Sequence, residues 1–81
     1  MRVHVLFFAR ARELAGLSEA DLDVPAGANV EAAVHRLAEE FPELASYLAV
    51  CRLAVDEELA AGGDPIPEGA VLAVIPPVSG G

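Results

Sequence analysis

Asn29-Val30-Glu31-Ala32-Ala33-Val34-His35-Arg36-Leu37-Ala38-Glu39-Glu40-Phe41-Pro42 is the most strongly patterned stretch of this chain. Val30, Ala33, Val34, Leu37, Ala38 and Phe41 recur at the spacing of one helical stripe, while Glu31, His35, Arg36, Glu39 and Glu40 fall off it. Asn29 is a good N-cap, and Glu31 in the first turn suits the positive end of the helix dipole. Pro42 predicts the stop, because the residue before a proline is pushed out of helical geometry.

Outward from this helix the pattern changes period. Val3 to Ala9 reads as a strand, with Val3, Val5 and Phe7 on one face and His4, Leu6 and Phe8 on the other. Arg10 to Ala15 predicts a short helical turn closed by Gly16. Glu19 to Val24 predicts a second strand, and Pro25-Ala26-Gly27 turns the chain. Beyond the helix, Glu43 to Ala49 predicts a second short helix and Arg52 to Val55 a strand with an Asp56-Glu57 turn. Leu59 is assigned to a short edge strand, and the apolar run Val71 to Ile75 to a last, central strand. The order strand, strand, helix, strand, short strand, strand describes an α+β fold with one mixed sheet of four to five strands packed by one main helix. It is the order of the β-grasp, or ubiquitin-like, fold, although order alone leaves other small α+β folds open. Residues 1–75 are expected to form this domain and residues 76–81 a flexible tail.

The bulk composition narrows the function. Eighty-one residues allow one domain, and 54% hydrophobic residues are ample for a core. One cysteine, Cys51, permits no internal disulfide, and with two histidines it makes no zinc cluster. The compartment read from this is reducing, hence cytoplasmic. No signal peptide is expected at the start, and no apolar run is long enough to span a bilayer. A net charge of -8 argues against nucleic-acid binding and favours a partner with a basic surface.

The final residues carry the chemistry. Pro76-Pro77 stops the last strand and favours extended backbone. Val78-Ser79-Gly80-Gly81 follows. From Pro76 the reach is at most roughly 20 Å, enough to enter a neighbouring active site while the body stays outside. Without Cβ atoms, Gly80 and Gly81 fit a narrow channel. The carboxylate of Gly81 is a poor electrophile until an adenylate leaving group is attached. No GxxxxGK[ST] loop is present, so activation and its ATP are assigned to a partner, with no cofactor bound here.

At this point the sequence resembles the small-subunit family of molybdopterin synthase, the sulfur carriers of molybdenum-cofactor synthesis. The resemblance rests on Val5-Leu6-Phe7-Phe8-Ala9 with Arg12-Glu13-Leu14-Ala15-Gly16, and on Ile75-Pro76-Pro77-Val78-Ser79-Gly80-Gly81. It implies that a ubiquitin-activating-like adenylyltransferase activates Gly81 and that a sulfur-donating enzyme converts it to a thiocarboxylate. It further implies docking on the large synthase subunit, in a heterotetramer, and sulfur transfer to a cyclic pyranopterin precursor. The catalytic residues are then expected on the large subunit, with this chain as carrier and co-substrate. The docking patch carried over is Phe7, Leu59 and Ile75, with Pro76, Pro77, Val78 and Ser79 entering the partner. Arg10 and Arg12 are read as solvated side chains that contribute little, with pairing to acids on the rim as the alternative. Asp56 stands where the family often has Asn, and Gly69-Ala70-Val71-Leu72 where it often has Gly-Asp-Glu-Val.

Other residues are read as structural. Cys51 is expected to be a small buried hydrophobe rather than a persulfide carrier. His4 and His35 lack partners at catalytic spacing, and Ser79 lacks a positioned base. Competing readings are a sulfur carrier for a thiazole, tRNA or cysteine precursor, a modifier that forms isopeptide bonds through Gly81, and a non-covalent β-grasp adaptor.

Overall fold

A computed structural model describes residues 1–77. The expected tail residues Val78, Ser79, Gly80 and Gly81 lie outside the described residues. The elements are β1 (Arg2–Phe7), α1 (Ala9–Ala15), β2 (Glu19–Asp23), α2 (Val30–Glu40), a 3-10 turn (Pro42–Leu44), α3 (Ala45–Leu48), β3 (Arg52–Val55), β4 (Glu58–Ala60) and β5 (Val71–Ile75). One five-stranded sheet has the order β2-β1-β5-β3-β4. β1 pairs with β5 in parallel and with β2 antiparallel, and β3 is antiparallel to both β5 and β4. This mixed sheet crossed by one long helix is the β-grasp architecture.

The local signals act where the sequence places them. The Asn29 side chain accepts a hydrogen bond from the Ala32 amide at 2.9 Å, and Glu31 occupies the first turn. Two further amides at this helix end, of Val30 and Glu31, donate to the carbonyls of Asp64 and Gly62. The Phe41 amide closes the last turn on the Leu37 carbonyl before Pro42. Gly16 ends α1 at φ 83, a left-handed value that a side chain would resist. The segment expected as one short helix is split into the 3-10 turn and the four-residue α3, because Pro42 forces a tighter start.

The core lies between α2 and one face of the sheet. Val3, Val5, Phe7, Leu22, Leu72 and Val74 meet Val30, Ala33, Leu37, Leu44 and Leu48 there. Each fully buried large side chain among these stabilises the fold by about 1.5–3 kcal/mol. Phe7 and Phe41 pack edge to face, with ring centroids 5.2 Å apart. Ile66, from the loop between β4 and β5, is also buried, and its amide donates to the Ala28 carbonyl. Ala70 is buried as well.

Candidate partner-docking face

Among the described residues no helix covers the sheet's second face. Leu6, Phe8, Ala54, Val71, Ala73 and Ile75 line one shallow depression there, with Asp56 and Glu57 at its edge. Strand alternation produces this surface. Val71, Ala73 and Ile75 are half-buried, while Leu72 and Val74 between them are buried in the core. Leu59, 59% exposed, lies opposite Ala54 across the β3–β4 ladder and extends the apolar face toward the sheet edge.

This arrangement corrects one expectation. Phe7 is 2% exposed and belongs to the core, so it offers no surface for docking. Its neighbour Phe8, 47% exposed, occupies the outer face instead. Alternation held the signal: Phe7 shares its face with Val3 and Val5, whereas Phe8 follows His4 and Leu6. The face carrying a histidine is the one that meets water. Leu59 and Ile75 are accessible, as a docking patch requires. The replacement at Val71 also becomes legible, since it adds an apolar group where the family often carries an acid.

Phe8 and Ile75 lie at the same end of the sheet, because the parallel register pairs Phe7 with Val74. Pro76 and Pro77 continue from that end, the first half-buried and the second exposed. Arg52 pairs with Ile75 in the β3–β5 ladder, and Arg10 and Arg12 follow Phe8 in α1. Arg10 is 3.3 Å from Glu13; Arg12 and Arg52 have no acid within ion-pairing distance among the described residues. The opposite end holds Asp56 and Glu57 in the β3–β4 turn and Glu58 at the start of β4.

His4 lies toward that acidic end, paired in register with Val71 and Asp21. Its Nδ1 lies 3.0 Å from Asp21 and its Nε2 2.9 Å from Glu19. The Asp21 hydrogen bond raises the imidazole pKa above 6.5; partial desolvation opposes this, and Glu19 adds to the rise. Both acids sit on the neighbouring strand, so spacing along the sequence did not reveal them. Burial pushes the half-buried Cys51 thiol up, which leaves it a weak nucleophile. Among the described residues no group of three His, Cys, Asp or Glu is placed to hold a metal, and no helix is long and apolar enough to cross a membrane.

The ThiS family model matches residues 5–81. The chain belongs to the ThiS family. Among relatives of this ThiS-family chain, the molybdopterin synthase sulfur carrier subunit of Arabidopsis thaliana is 36% identical over 81 residues, covering 100% of this chain and 84% of its own. Among solved structures, SAMP1 from Haloferax volcanii superposes with a TM-score of 0.91 at 30% identity, covering 100% of both chains. A chain from the Helicobacter pylori complex of subunits 1 and 2 of molybdopterin-converting factor has a TM-score of 0.70 at 27% identity, again covering 100% of both. The ThiS-family match includes the Gly80-Gly81 terminus, which lies outside the described residues.

Proposed function

We propose that this chain is the sulfur-carrying small subunit of a molybdopterin synthase. One observation carries the reading: an apolar face that no described helix covers lies on β1, β5 and β3, and in sequence β5 is followed by Pro76-Pro77 and then Val78-Ser79-Gly80-Gly81. Its relatives support it, one named as such a carrier and one found in a complex of two subunits. The body acts as the grip, and the Gly81 carboxyl group is the load.

In this cycle a partner adenylyltransferase brings ATP, and a Gly81 carboxylate oxygen attacks its α-phosphorus as pyrophosphate leaves. Sulfide-level sulfur delivered by a donating enzyme attacks the acyl carbon and expels AMP, leaving a thiocarboxylate. Phe8, Leu59 and Ile75 then seat the body on the large subunit, while Pro76 to Ser79 lead Gly81 to the cyclic pyranopterin. The catalytic groups are assigned to the large subunit, since Val78-Ser79-Gly80-Gly81 carries no acid or histidine beside Ser79 in sequence.

The test is intact mass after incubation with activating enzyme, ATP and a sulfur donor. One oxygen-for-sulfur exchange at the C-terminus is expected, and the same reaction should fail when Gly81 is deleted. Adding purified large subunit and pyranopterin precursor should yield the dithiolene product; its absence from loaded carrier would direct the sulfur to another acceptor. The likeness to SAMP1, a small archaeal modifier protein, favours a second reading in which Gly81 forms isopeptide bonds. Gly81-dependent conjugates above 8.4 kDa on a denaturing gel would establish it.

A further inference from the structure

The helix-free face is apolar in the middle, with Asp56 and Glu57 at one end and Arg52, which shares the face of its ladder partner Ile75, at the other. Arg10, Arg12 and Arg52 lie at the end reached by Phe8 and Ile75, with Glu13 beside Arg10. Asp56 and Glu57 lie at the other, and neither forms an ion pair among the described residues. Such a face repels a copy of itself laid parallel. Turned about a two-fold axis through Ala73, it complements itself: arginines meet acids at both ends, and the apolar strips meet between them. Isologous contacts have this property. The chain's net charge of -8 opposes every encounter between copies, and this arrangement offsets that repulsion by setting unlike charges face to face.

We propose that two copies of this chain pair through this face in the two-fold arrangement, forming a weak dimer that covers Phe8, Val71, Ala73 and Ile75. The dimer shields an apolar patch that would otherwise invite non-specific association. It also occupies the surface that a docking partner would use, so partner binding and pairing exclude each other. The inference rests on the isolated chain and is independent of sulfur loading.

Sedimentation equilibrium of the full chain tests it. The wild type should show a concentration-dependent monomer–dimer equilibrium, and backbone amide NMR shifts on dilution should centre on Leu6, Phe8, Val71, Ala73 and Ile75. Arg12→Glu/Arg52→Glu places acids at both ends, and Glu57→Arg puts a base opposite the partner copy's arginines. Each variant alone should be monomeric, and an equimolar mixture of the two should associate. A wild type that stays monomeric up to its solubility limit overturns the proposal. So do dilution shifts centred elsewhere, or a mixture that associates no more than its components. Circular dichroism of each variant confirms that the fold is retained, and the dilution series on the unmutated chain decides the matter without them.

Discussion

Phe7 and Phe8 are neighbours in sequence and lie on opposite sides of one sheet, which makes them a matched pair for separating stability from recognition. Phe7→Ala should cost about 3–5 kcal/mol, because it removes a buried ring packed on Phe41. Phe8→Ala should change stability by about 0.5 kcal/mol or less. It should instead weaken binding to the large subunit by about 2 kcal/mol or more, as loss of an aromatic anchor does. Urea denaturation and calorimetric titration would measure the two effects. If Phe8→Ala leaves binding intact, the outer face is not the docking surface. A second residue-scale prediction concerns the β3–β4 turn, where Asp56 and Glu57 adopt φ values of 47 and 72. Hairpins with two left-handed positions favour Asn-Gly there. Glu57→Gly should therefore raise stability by about 0.5–1 kcal/mol in the same denaturation assay. Asp56 is different, since its side chain accepts the Val71 amide at 2.9 Å, a role that an Asn carbonyl oxygen also fills. The departure from the family at this position is thus structurally neutral.

At the scale of elements, the helical stripe, the Asn29 cap and the Gly16 and Pro42 stops were legible because they are local: each acts on backbone within four residues. The β5 boundaries were legible for the same reason, an apolar run between Gly69 and Pro76. The side on which Phe7 packs was settled by what lies above the sheet, and a residue-by-residue resemblance overrode the alternation that pointed the right way. The His4 contacts with Asp21 and Glu19 were hidden altogether, because they exist only once β1 and β2 are in register. They carry a pH prediction. The folded pKa of His4 is raised, so its contribution to stability is fully present below the unfolded value of 6.5 and is lost as pH rises through the raised folded value. NMR titration of the imidazole should show the upward shift, and His4→Gln should flatten the pH dependence of the unfolding midpoint in that window. An unshifted titration would mean that the β1–β2 carboxylates do not hold the ring in solution.

For the whole molecule, the division of labour between body and terminus makes a separable prediction. The last strand ends at Ile75 and the described core is drawn from residues before it, so a chain lacking Gly80 and Gly81 should match the full chain in circular dichroism and unfolding midpoint. Sulfur loading should be lost completely. A truncated protein that still acquires sulfur would locate the carrying group elsewhere. The parallel pairing of β1 with β5 has a consequence for synthesis. The first strand made must wait for the last before the centre of the sheet can close, and such distant pairings slow folding. On the ribosome the earlier elements emerge without a partner for that edge of β1, leaving Val3, Val5 and Phe7 poorly covered. A nascent chain halted before Val71 is therefore a ready target for chaperones and proteases. The cell thus receives either a finished carrier or degradable fragments, with few half-built bodies competing for the same enzymes.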